Sequence, residues 1–143
     1  MTQILFMDRA KKIAETAKRI LVIDDQLLIR TLLMRLLEAD GHQVFVAATG
    51  KEGLVVAREL PFDLILLDVD MPGLNGLKVC AELKRDAATA QVPVIFISGR
   101  LSTQDLDQMT AVGAVGFLPK PFLLEQVHQT VNSILAAAAN AKP

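Results

Sequence analysis

"DLILLDVDMPGLNG", residues Asp63 to Gly76, joins two patterns that pull against each other. Leu64 to Leu67 form an unbroken aliphatic run, as expected of a strand covered on both faces. The run ends in Asp68, a second carboxylate follows at Asp70, and Met71-Pro72-Gly73 turns the chain. A buried strand that carries a carboxylate to its end, with a turn just behind it, needs a reason for the acid.

Apolar runs of the same kind recur on both sides. "RILVI" (19–23), "QVFVA" (43–47), "DLILL" (63–67), "VPVIFI" (92–97) and "AVGFL" (114–118) have the length and β-branched content of strands. Helical spacing fills the intervals, at 26–39, 50–59, 75–86, 102–112 and 122–138. Gly41, Gly50, Gly73, Gly76, Gly99 and Gly113 stand at or near the junctions. Regular β-α alternation predicts a doubly wound α/β fold, a five-stranded parallel sheet with helices on both faces. The flavodoxin-like strand order 2-1-3-4-5 would place the first and third strands side by side at its centre.

Composition limits the rest. The 143 residues suit one domain; 52% are hydrophobic and 22% charged, a globular balance. A net charge of −1 gives no basic field for nucleic acid or anionic membrane. The single Cys80 precludes an intramolecular disulfide and suits a reducing compartment. No apolar run approaches the roughly 18 residues of a membrane span, and no secretory signal is visible, so a cytoplasmic location is expected. Ahead of the alternation, Phe6, Ala10, Ile13 and Ala17 share a helical face, with Arg9, Lys12, Glu15 and Lys18 largely elsewhere. The expected organisation is an amphipathic N-terminal extension (1–17), the α/β domain (18–138) and a short tail (139–143).

Sites in open α/β sheets form beyond the carboxyl ends of the strands. There the first run delivers Asp24 and Asp25, the third Asp68 with Asp70 behind it, the fourth Ser98, and the fifth Lys120. Two carboxylates about 4 Å apart repel by roughly 4 kcal/mol at an effective dielectric near 20, so three converging acids call for a cation. Oxygen ligands without His or Cys select a hard divalent ion, and an open, partly hydrated site suits Mg²⁺. Carboxylates, Mg²⁺, a lysine and a hydroxyl together can hold a phosphoryl group, and a carboxylate can accept one covalently.

"RILVIDDQLLIR", "DLILLDVDMPGLNGL", "PVIFISG" and "GAVGFLPKPF", in this order and spacing, resemble the receiver domain of two-component response regulators, the family of the bacterial chemotaxis regulator. The resemblance covers about residues 18–137. It implies that Asp68 accepts a phosphoryl group from the phosphohistidine of a histidine kinase or a histidine phosphotransfer protein. It implies Mg²⁺ on Asp25 and Asp68, with Asp24 acting through water and Asp70 through its backbone carbonyl. Ser98 and Lys120 would hold the phosphoryl group, the Lys120-Pro121 bond would be cis, and Ser98 and Phe117 would form the switch pair. The chain would then signal by changed protein-protein binding, rather than act as an enzyme on other molecules. The downstream target is unknown to the sequence; the implied readout face is the fourth helix, fifth strand and fifth helix.

Further expectations concern surfaces. Asp70 and Arg100 are expected to pair across the pocket's mouth and restrict the hydrolytic water. Leu27 and Met34 fall among Gln26, Arg30, Thr31 and Arg35 on the first helix, a candidate docking patch for the phosphodonor. Leu123, Leu124, Val127, Val131, Ile134 and Leu135 form a stripe on the last helix, most of it expected in the core. A homodimer could use the readout face or the N-terminal helix. His42 and His128 lack the surroundings of a phosphotransfer site. Two rival readings remain. One is a receiver used only as a scaffold. The other is a haloacid-dehalogenase-type phosphatase, which "LILLDVD" also resembles; that motif sits on the first strand of such enzymes, whereas here the acidic pair comes first.

Overall fold

The computed structural model describes residues 17–141. The expected N-terminal amphipathic helix lies outside the described residues. Ten elements alternate: β1 (Arg19–Ile23), α1 (Leu27–Ala39), β2 (Gln43–Ala47), α2 (Gly50–Glu59), β3 (Leu64–Asp68), α3 (Gly76–Arg85), β4 (Val94–Ser98), α4 (Thr103–Ala111), β5 (Gly116–Pro119) and α5 (Leu124–Ala141). All neighbouring strands pair in parallel, in the order β2-β1-β3-β4-β5.

Each central strand splits its side chains between two cores, as a two-residue period requires. Leu21, Ile23, Ile65, Leu67, Val94 and Phe96 pack with residues of α2, α3 and α4. Ile20, Val22, Leu64, Leu66, Ile95 and Ile97 pack with Leu33 and Leu37 of α1 and Val127, Val131 and Leu135 of α5. β3 and β4 are buried throughout, which explains their unbroken aliphatic runs.

Three strand limits differ from the sequence expectation for local reasons. β3 runs one residue further because Asp68 itself pairs with Ile97. β4 starts at Val94 because Val92 N–H donates to Thr89 O in a turn and Pro93 has no N–H. β5 starts at Gly116 because Ala114 N–H closes onto Met109 O behind α4. Three helices begin with side-chain caps: Thr49 accepts from Glu52 N–H, Asn75 from Lys78 N–H, and Ser102 with Asp105 forms a capping box. The expected stripe on the last helix divides. Val127, Val131 and Leu135 are buried, but Leu123 and Leu124 are exposed, because they sit at the helix's start above the sheet's edge.

The β3–α3 loop must fold back onto the strand that precedes it, and Gly76 permits this. Its N–H donates to Val69 O, and a Cβ there would lie 2.8 Å from Val69 Cα. Gly76→Ala should destabilise the domain by about 1–3 kcal/mol, because backbone cannot yield as a flexible side chain can. The expected measurement is a lower urea midpoint with an unchanged slope. A midpoint at or above the parent's would mean that the helix propensity of alanine outweighs the close approach.

Candidate functional site: an acid pocket at the carboxyl edge of the sheet

Asp24 continues the alternation of Ile20 and Val22, and Asp68 that of Leu64 and Leu66. Because β1 and β3 are direct neighbours, the two carboxylates emerge together. Asp24 is fully buried and Asp68 nearly so, whereas Asp25 is exposed at the mouth. One carboxylate oxygen from each of these residues lies within 4.8 Å of the other two.

Lys120 reaches them from the end of the edge strand β5, on the same face of the sheet. Its Nζ lies 2.9 Å from Asp24 Oδ2 and 3.4 Å from Asp68 Oδ2, and it donates to Gln26 Oε1 at 3.3 Å. Its backbone N–H donates to Ser98 O, which fixes where the side chain starts; the Lys120-Pro121 peptide bond that follows is cis. Backbone groups hold the acids in turn. Gln26 N–H donates to Asp24 Oδ1 at 2.8 Å, Asp70 N–H to Asp68 Oδ1 at 3.2 Å, and the Arg30 guanidinium to Asp24 O.

Burial and the neighbouring Asp24 charge push the Asp68 carboxyl up to about 6, despite opposition from Lys120 and the Asp70 N–H. Burial works against the Lys120 ammonium, but Asp24 and Asp68 together outweigh it and raise its pKa. The pocket therefore favours a charged Lys120 and makes Asp68 harder to ionise than an ordinary carboxyl.

Ser98 is buried but engaged elsewhere. Its hydroxyl donates to Arg100 O and accepts from Arg100 N–H, both at 2.9 Å. The Arg100 guanidinium donates to Asp70 Oδ1, so the expected pair across the mouth is present. Phe117 is half-buried in the α2–α4 core, paired in register with Phe96. His42 Nδ1 accepts from Lys18 N–H, and His128 Nδ1 pairs with Asp40 at 2.6 Å; both stand at the opposite edge of the sheet.

Sequence reading passed over Gln26 and Arg30, which brace Lys120 and Asp24. The available signal was position: Gln26 follows the acid pair directly, and Arg30 lies one helical turn further on. It also missed Leu28, which is 75% exposed beside Leu27 at 68%, while Met34 is half-buried.

The donor set fits a hard divalent cation. Three carboxylates face one ammonium, leaving a formal charge of −2, and all the side-chain donors are oxygen. Asp24 Oδ2 is buried and accepts no well-directed hydrogen bond, its one close neighbour being the Lys120 ammonium. A second positive charge would offset its desolvation.

The response regulator receiver domain family matches residues 20–132. The Protein PilH of Pseudomonas aeruginosa is 37% identical over 118 residues, 82% of this chain and 98% of its own length. The response regulator MprA of Mycolicibacterium vanbaalenii is 36% identical over 118 residues, but the chain spans only 50% of that protein, as it does of several other curated relatives. The chemotaxis protein CheY4 of Vibrio cholerae superposes with a TM-score of 0.80 at 30% identity, covering 82% of this chain and 98% of that one. A CheY-like receiver domain protein of Methanospirillum hungatei gives 0.82 at 25% identity, covering 88% and 99%.

The raised Asp68 pKa predicts a pH-dependent penalty in Mg²⁺-free buffer. Between its ordinary value of 3.8 and its folded value of about 6, the native state binds more protons than the unfolded chain, so stability falls as pH rises. Above the folded value the penalty is complete, at most about 3 kcal/mol. Asp68→Asn, with chelator present, should therefore unfold at a higher urea concentration than the parent at pH 7, with the gain fading towards pH 4. Equal midpoints at pH 7 would show that Asp68 ionises without strain.

Proposed function

The chain belongs to the response regulator receiver family, the phosphoacceptor switches of two-component systems, and from that premise we propose that Asp68 is its phosphoacceptor. The observation that carries the assignment is the meeting of buried Asp68 with Asp24, Asp25 and Lys120 at the end of a central strand. A carboxylate oxygen of Asp68 attacks the phosphorus of a partner's phosphohistidine; the P–N bond breaks, and its electron pair leaves on the imidazole, which takes a proton from solvent. Hydrolysis later returns the carboxylate when water attacks phosphorus and the bond to Asp68 breaks. Asp24, Asp25, Asp68 and the Asp70 backbone carbonyl would hold Mg²⁺, which supplies positive charge against the phosphoryl oxygens. Lys120 pairs with one of those oxygens in exchange for part of its contact with Asp68. Ser98 turns from Arg100 to donate to another, vacating space beside Phe117 and shifting the population of the α4–β5–α5 face. There a downstream protein or a second copy binds; Val115, between α4 and β5, is 55% exposed.

A histidine donor would dock where the exposed leucines are. Leu27 and Leu28 begin α1, and Leu123 and Leu124 flank the start of α5. The Gln26–Lys120 contact brings those two helix starts together beside the pocket. Among the described residues no helix is long and apolar enough to cross a membrane. The buried free thiol of Cys80 supports a reducing, cytoplasmic setting.

Intact mass after incubation with acetyl phosphate and Mg²⁺ tests the assignment. One labile phosphate adduct should form, and it should be absent with chelator and absent in Asp68→Ala. Leu28→Arg should keep uptake from acetyl phosphate but slow transfer from a phosphohistidine donor; equal loss with both donors would rule out a docking role. An adduct that persists in Asp68→Ala would move the acceptor elsewhere, and failure with both donors would favour the scaffold reading. Sustained turnover of a phosphate monoester would favour the phosphatase.

The Asp70–Arg100 pair spans the mouth through which the hydrolytic water must pass. Arg100→Ala should speed decay of the adduct, within about fivefold because the pair is exposed and screened. An unchanged half-life would dispose of this role.

A further inference from the structure

A lysine ammonium has three N–H donors, and three oxygens surround that of Lys120. Asp24 Oδ2 lies at 2.9 Å, Gln26 Oε1 at 3.3 Å and Asp68 Oδ2 at 3.4 Å. Two of the three are carboxylates that the proposed chemistry also calls on elsewhere: both would hold Mg²⁺, and Asp68 would carry the phosphoryl group. Gln26 is the partner without a second duty. Its Oε1 belongs to a neutral amide, which phosphoryl transfer leaves unaltered.

The backbone holds Gln26 in place for this contact. Gln26 stands between β1 and α1, where its N–H donates to Asp24 Oδ1 at 2.8 Å and its carbonyl accepts from Arg30 N–H at 3.1 Å. A side chain at such an N-cap position commonly bonds the first amides of its own helix, but that of Gln26 does not. It reaches instead to a residue 94 positions away, at the end of a strand separated from β1 by β3 and β4. The charge of the partner matters too. The pocket already carries three carboxylates against one ammonium, and an amide directs Lys120 by its dipole without adding a fourth.

We propose that Gln26 is a positioning residue for phosphoryl transfer. Gln26 Oε1 and Asp24 Oδ2 hold the Lys120 ammonium at the pocket while its third donor passes from Asp68 to an incoming phosphoryl oxygen. The proposal rests on the assignment of Asp68 as the phosphoacceptor. A lysine is a point charge on a flexible four-carbon stem, so its direction has to be set by what it touches. With Gln26 removed, Lys120 keeps one fixed partner through the exchange, and more of its conformers point away from the reacting oxygen.

Two readouts on the full chain test this, in the parent and in Gln26→Ala. The substitution removes a side chain at an exposed position and keeps the backbone N–H that holds Asp24. The first readout needs no phosphoryl donor: NMR of the lysine ammonium groups, with the Lys120 signal assigned by its disappearance in Lys120→Arg. Its protons should be protected from exchange with water in the parent and exchange several times faster in Gln26→Ala. The second is uptake from acetyl phosphate, followed by intact mass. Its maximal rate at saturating Mg²⁺ should fall about three- to tenfold, a modest loss because the contact is exposed. The Mg²⁺ concentration for half-maximal uptake should not move, since Gln26 touches the lysine and not the proposed cation. A Lys120 signal indifferent to the substitution would overturn the proposal, and so would an unchanged maximal rate. An equal weakening of Mg²⁺ binding would overturn it too, by placing the effect on the acids. An adduct that persists in Asp68→Ala would overturn the reading on which the proposal rests; the lysine signal, which requires no adduct, separates that failure from a failure of the Gln26 contact.

Discussion

Lys120 Nζ reaches both Asp24 and Asp68 in a pocket that holds three carboxylates, and the arrangement of the carboxyl edge depends on that reach. Burial first, and the neighbouring Asp24 charge second, raise the pKa of Asp68 against the pull of Lys120. A single ammonium leaves the pocket short of positive charge. That deficit is what the proposed divalent cation would offset. The same deficit makes the site sensitive, since any change in charge there alters the balance among groups that are already under strain.

Strand alternation decides which groups share that balance. Asp24, Asp68 and Lys120 continue the phase of side chains that pack towards α1 and α5. Ser98 and Phe117 continue the opposite phase, that of Phe96 and the core beneath α2, α3 and α4. The charged half of the pocket and the proposed switch pair are therefore divided by the plane of the sheet. Ser98 is held away from the acids by the backbone of Arg100, whose side chain bridges the mouth, so the proposed turn of Ser98 would release that backbone. The proposed chemistry at Asp68 would in this way reach the loop between β4 and α4 and, through it, the proposed readout face.

The two edges of the sheet divide their tasks. At the carboxyl edge, loops are short, braced by Asp and Asn side chains, and crowded enough that Gly76 has no room for a methyl group. At the opposite edge, His128 ties α5 to Asp40 at the end of α1, and below that tie the helix continues past the sheet with an alanine-rich face. The first edge carries the reactive groups.

The α/β class and the five strands were legible from the sequence because parallel strands buried on both faces must be written as continuous aliphatic runs, and "LILL" and "VIFI" have no other economical reading. The candidate acids were legible for a related reason: a carboxylate at the end of such a run is an exception to the pattern, and exceptions can be located without coordinates. The same logic did not reach Gln26 and Arg30, whose polar side chains look like ordinary surface on a helix, or Leu28, whose exposure depends on where α1 sits on the sheet. Nor did it separate Leu123 and Leu124 from the buried part of their stripe, since periodicity identifies a helical face but not where the covering sheet ends. Local pattern alone thus determined which residues form the elements and which groups are chemically out of place. Tertiary structure alone decided which of those groups meet, how far Lys120 reaches, and which way Ser98 turns, because these depend on distances across strands that are far apart in the chain.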